Sequence, residues 1–80
     1  MFPGCLVIKG NSASQGGIPD WLVLWGDRWA ALEVKKAAGA RKQPNQDYFV
    51  DLMDGMSFAA FIYPENKAHI LDALSNFFRE

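Results

Sequence analysis

Asp20, Glu33 and Lys35 are the residues of this chain whose types and spacing could do chemistry together. Two carboxylates are hard oxygen ligands suited to Mg²⁺ or Mn²⁺. A cation held there polarises a phosphodiester and lowers the pKa of an attacking water. A lysine beside it favours hydroxide and offsets the charge that develops in the transition state. An acid, a hairpin and then Glu-x-Lys is the donor set of metal-dependent phosphodiester hydrolysis. The same residues also occur as ordinary solvated charges at strand ends, so their spacing must decide.

The segment that must position them runs from Gly17 to Lys35. Residues 21–25 (Trp-Leu-Val-Leu-Trp) are apolar and rich in strand formers, Gly26-Asp27 reads as a turn, and residues 29–34 are apolar again. With Gly26 and Asp27 as the two loop residues, Trp25 faces Arg28 and Asp20 lies opposite Glu33. Opposed residues of an antiparallel pair have Cβ atoms roughly 4.5–5.5 Å apart. Two carboxylates that close repel, and a bound cation reverses the sign of that term. A three-residue loop would shift the register by one and separate the acids onto opposite faces. Alternation puts Asp20, Leu22 and Leu24 on one face with Trp29, Ala31, Glu33 and Lys35. Trp21, Val23 and Trp25 share the other with Ala30, Leu32 and Val34. Both faces are mainly apolar, which predicts a hairpin covered on both sides by helices or a partner subunit.

Around this hairpin, residues 5–9 (Cys-Leu-Val-Ile-Lys) read as a short buried strand and residues 10–17 as a polar, glycine-rich loop. Residues 37–43 form a second loop. Pro44 suits the first turn of a helix over 45–53, which Gly55 ends. Residues 57–63 are an aromatic-rich fourth strand. Pro64 opens a second helix with Ile70, Leu71, Leu74, Phe77 and Phe78 on its apolar stripe. The predicted order is β-β-β-α-β-α, an α/β fold in one domain spanning residues 1–80.

Eighty residues, half of them hydrophobic, place the chain near the lower limit for a self-sufficient core. So small a chain with so much apolar surface favours a homodimer. No run is long enough to span a membrane, and the N-terminus does not read as a signal peptide. Cys5 is the single cysteine, which excludes a disulfide frame and fits a reducing, intracellular setting. A net charge of −1 counts mildly against nucleic-acid binding. The basic residues nevertheless gather beside the candidate site: Lys35, Lys36, Arg41 and Lys42. Lys36, Arg41 and Lys42 could hold a DNA backbone, with Ser12, Ser14 and Gln15 as further contacts from the first loop, or could form an ordinary solvated basic loop. His69 lies far from these residues. Trp21, Trp25 and Trp29 suit a core or an interface better than base stacking.

Gly17-Ile18-Pro19-Asp20 followed by Glu33-Val34-Lys35 resembles the PD-(D/E)xK nuclease superfamily. With the basic loop from Lys36 to Lys42 and Gln46 opening the next helix, the pattern is most similar to its virus-type replication-repair (VRR-NUC) group. The resemblance covers roughly residues 5–63. It implies a restriction-endonuclease-like mixed sheet flanked by helices, and Mg²⁺ (with Mn²⁺ as substitute) held by Asp20, Glu33 and the backbone carbonyl of Val34. It implies catalytic roles for Asp20, Glu33, Lys35 and Gln46. The implied activity is a structure-selective DNA endonuclease acting on branched DNA such as Holliday junctions, as a homodimer, in replication, recombination or repair. A phage origin, and hence a host-cytoplasmic setting, is part of the same implication. Family members begin with a helix carrying a further Glu, whereas this chain has no Asp or Glu before Asp20. A trimmed fold or a second subunit would account for that. Two other readings remain open: a restriction or homing-type nuclease, and a catalytically silent DNA-binding or assembly module.

Overall fold

The computed structural model describes residues 3–10, 19, 21–39 and 45–80. Within them the elements are β1 (Leu6–Lys9), β2 (Trp21–Trp25), β3 (Arg28–Val34), α1 (Gln46–Met56), β4 (Phe58–Ile62) and α2 (Lys67–Arg79). The four strands form one mixed sheet in the order β1-β2-β3-β4. β1, β2 and β3 are antiparallel neighbours, and β4 lies parallel to β3 after the crossover through α1.

The hairpin has the register expected from the sequence. Trp25 pairs with Arg28 across a loop of Gly26 and Asp27, and Trp21 pairs with Leu32. Gly26 takes φ 64°, a conformation that costs glycine nothing and that a Gly-first two-residue loop requires.

Alternation along these strands sorts the core into two layers, one on each sheet face. Val23, Ala30 and Leu32 pack against Leu74 and Phe78 of α2, with Ile70 and Phe77 alongside. Ala31 and Ala59 pack against Val50 of α1, with Leu22, Trp29, Met53 and Phe61 around them. The hairpin is thus covered by helices on both faces. Trp21 and Trp25 belong to the α2 layer and Trp29 to the α1 layer; the Trp25 and Phe78 rings lie 5.7 Å apart. Arg28 ties the hairpin to the end of α2, donating from Nη1 to the Phe77 carbonyl at 3.2 Å and from Nη2 to the Glu80 carbonyl at 2.5 Å.

Several sequence expectations are corrected. β1 begins at Leu6, and all four of its residues are exposed rather than buried. It is an edge strand, and the two core layers centre on β2, β3 and β4. Gly55 does not end α1; the helix runs to Met56, and the Ser57 N–H still bonds the Met53 carbonyl at 2.9 Å. One glycine costs a helix only about 1 kcal/mol, less than tertiary packing supplies. Asn45 is not helical: at φ 71° it is left-handed and directly precedes Gln46, a conformation asparagine tolerates. Pro64 sits in a turn ahead of α2 instead of opening it, and the helix starts at Lys67. Asn66 closes that turn. Its Oδ1 accepts from the Tyr63 N–H at 2.8 Å and its Nδ2 donates to the Phe61 carbonyl at 3.1 Å. Pro44 lies outside the described residues.

Candidate functional site

Glu33 is the penultimate residue of β3, and its side chain shares the α1 face of the sheet with Ala31 and Lys35. It is 9% exposed, uncommon for a carboxylate. Its Oε1 oxygen is buried and accepts no hydrogen bond, although Glu33 as a residue has an interaction partner. Lys35 follows just past the strand end. Its backbone N–H bonds the Ile62 carbonyl at 2.8 Å, which fixes its Cα to β4. Its Nζ donates to Gln46 Oε1 at 2.6 Å. Gln46 is the first residue of α1 and is 4% exposed. A residue of β3's end and a residue of α1's start, separated by the whole second loop, therefore meet inside the fold. Glu33, Lys35 and Gln46, all proposed from sequence, lie on one side of the sheet at the same end of β3.

The hydrogen-bond phase of the sheet also fixes where the Val34 carbonyl points. Main-chain groups alternate sides along a strand. The Lys35 N–H turns toward β4, so the Val34 N–H and C=O turn toward the β2 side. The paired register ends at Trp21–Leu32. Pro19, just before β2, is buried.

The donor set for a divalent cation is tested by these observations. A buried carboxylate and a backbone carbonyl turned to the β2 side are hard oxygen groups of the kind Mg²⁺ takes. Among the described residues no three His, Cys, Asp or Glu side chains converge. The second carboxylate expected, Asp20, lies outside the described residues, as do Ser12, Ser14, Gln15, Arg41 and Lys42. What is described fits a hard cation but supplies only part of a complete shell. Lys36 is exposed beside Lys35. His69 is exposed on α2, away from these residues.

No family model matches this chain, and neither does any curated protein or any solved structure.

A groove that no motif announces adjoins Lys35. It has a volume of about 390 Å³ and is lined by Lys35, Asp47, Asp51, Phe61, Tyr63 and Asn66 among others, but not by Glu33 or Gln46. Asp47 and Asp51 are one helical turn apart, so their spacing could have marked a shared acidic flank on α1. Nothing in the sequence pattern signalled that Lys35 would border it. Among the described residues, no helix is long and apolar enough to cross a membrane.

Proposed function

We propose that this chain is a divalent-cation-dependent DNA endonuclease of restriction-endonuclease-like fold, selective for branched DNA and acting as a homodimer. The observation that carries this reading is the Lys35–Gln46 hydrogen bond beside buried Glu33. A bland arrangement of surface charges would not bury a carboxylate and a glutamine and bring a lysine between strand and helix onto the latter. The parallel β3-α1-β4 crossover beside an antiparallel hairpin is the sheet arrangement this reading requires.

Glu33, the Val34 carbonyl and Asp20 are the groups assigned to hold Mg²⁺. When bound, the ion supplies charge neutralisation at the scissile phosphate and a more acidic water. The chain's own residues do the remainder. Gln46 accepts a hydrogen bond from Lys35 and so aims its ammonium group. Lys35 contacts the attacking water or a non-bridging phosphate oxygen and offsets the negative charge that builds there. The water oxygen bonds to phosphorus and loses a proton to solvent. The bond from phosphorus to the 3′ oxygen breaks, and that oxygen takes a proton, leaving a 3′-hydroxyl and a 5′-phosphate. Lys36 with Arg41 and Lys42 grips the backbone.

The test is incubation with branched, duplex and single-stranded DNA, in Mg²⁺ and then in EDTA. Cleavage of branched DNA that EDTA stops, and that Glu33→Ala and Lys35→Ala abolish, is the expected result. Binding without cleavage of any substrate would instead identify a silent DNA-binding module. Cleavage that survives both substitutions would put the site elsewhere.

A further inference from the structure

The parallel strands β3 and β4 send their outgoing connections to opposite faces of the sheet. The chain leaves β3 for α1, which covers the face of Ala31 and Ala59, and leaves β4 for α2, which covers the face of Val23 and Leu32. Connections that part in this way open a crevice outside the carboxyl ends of the strands, the usual place for a ligand in an open α/β sheet. Lys35 and Tyr63 are the first residues past β3 and β4 and stand at that crevice. Both border two grooves there. One is the groove of Asp47 and Asp51 described above. The other has a volume of about 400 Å³ and, among the described residues, is lined by Val34, Lys35, Ile62, Tyr63, Pro64 and Lys67.

The two grooves differ in charge and in surface. Asp47 and Asp51 repel phosphates from the first. The charged side chains described in the second are both cationic, Lys35 and Lys67, and the rest of its wall is a phenol ring, a proline and two branched aliphatic groups. Val34 and Ile62 are register partners across β3 and β4, and Val34 is left 53% exposed. Cations beside an apolar and aromatic wall are the combination that holds single-stranded nucleic acid, whose backbone follows positive charge while its bases stack on side-chain rings. The volume falls within the roughly 300–1,000 Å³ of small-ligand sites, room for a nucleotide.

We propose that this second groove is a subsite for one unpaired base of the bound DNA strand, stacked on Tyr63 against Val34, Ile62 and Pro64, with an adjoining phosphate on Lys67. The proposal rests on the DNA reading above and adds what the strand presents: an unpaired nucleotide beside the phosphate that Lys35 contacts. Taking a base out of a paired duplex costs about as much as one stacking contact returns. The groove therefore gains little from fully paired DNA and its full contact from a nucleotide that is already unpaired. A branch that carries an unpaired nucleotide is favoured over one that is paired throughout.

Fluorescence anisotropy in EDTA tests this without cleavage, on a duplex with a single-stranded thymidine tail and on the same duplex with an abasic tail. The backbone charge is identical, so a difference in affinity reads the bases and needs no protein variant. Wild type is expected to bind the thymidine tail roughly 5- to 150-fold more tightly, the scale of one base stacked on a ring. Tyr63→Ala is expected to lose that preference and Tyr63→Phe to keep it. Lys67→Ala is expected to weaken both tails alike and to flatten the slope of log Kobs against log salt by about 0.7. A wild type that binds neither tail nor any other DNA refutes the DNA reading and this proposal with it. Equal binding of the two tails overturns the subsite alone and leaves the DNA reading standing. A preference for thymidine that survives in folded Tyr63→Ala, or a salt slope that Lys67→Ala leaves unchanged, also overturns it by placing the strand elsewhere.

Discussion

At the scale of single residues, the proposed site is defined by what restrains Lys35. Its main chain is pinned to β4 and its ammonium group to Gln46, so the cation has little freedom to wander. Lys35→Ala is expected to lower kcat by roughly a hundredfold or more, the scale seen when one transition-state donor is removed. Gln46→Ala is expected to lower kcat with little change in KM, while Gln46→Glu, which keeps an acceptor oxygen, retains most of the activity; steady-state kinetics on a branched substrate separate these. Glu33→Ala is expected to abolish Mn²⁺ binding, which calorimetric titration of Mn²⁺ into wild type and variant reads without turnover. No binding by wild type refutes the metal assignment, whereas equal binding by both refutes the role of Glu33.

At the scale of elements, legibility in the sequence depended on whether a local signal decided between alternatives. The hairpin was legible because Gly26-Asp27 fixes the turn, and the turn fixes every side chain's face. Glu33 and Lys35 followed from that register, whereas Gln46 was singled out only by the resemblance that puts a Gln at the start of the next helix. The exposure of β1 was not legible. A four-residue apolar run reads the same at a sheet's centre and at its edge, and only strand order, a non-local property, tells them apart. Gly55 misled for the opposite reason: it carries a strong local stop signal that packing overrode. Its place in α1 makes a prediction. A Cβ added there meets no atom within 4 Å, and the position has no positive φ. Gly55→Ala is therefore expected to stabilise the fold by about 0.5–1 kcal/mol, seen as a melting temperature a few degrees higher. An unchanged or lower melting temperature would mean that α1 does not extend through this residue in solution. The closing turn before α2 was also illegible, because Asn66 works through its side chain on β4's outer edge and not through helix propensity.

At the scale of the whole molecule, the proposed activity must be reconciled with a net charge of −1. A uniformly basic surface is excluded, so the proposed grip on DNA is assigned to the local cluster of Lys35, Lys36, Arg41 and Lys42, against six acidic residues distributed from Asp47 to Glu80. Counterion release then bounds the salt dependence of that cluster. Each neutralised phosphate of duplex DNA contributes a slope of about −0.9 to log Kobs against log salt, so the cluster alone gives one protomer a slope near −4 and a two-fold dimer about twice that. Fluorescence anisotropy with a branched substrate, in EDTA to prevent cleavage, measures the slope directly. Lys36→Ala removes one contact per protomer and is expected to flatten it by about 0.9 per protomer engaged. The substitution leaves the buried Glu33 and the Lys35–Gln46 pair untouched, so affinity should fall while Mn²⁺ binding does not. A slope much steeper than these limits would bring in the basic residues outside the cluster, Lys9, Arg28, Lys67 and Arg79. A slope unaffected by Lys36→Ala would mean that the phosphate contacts lie away from the end of β3, and would separate the DNA-binding surface from the proposed catalytic one.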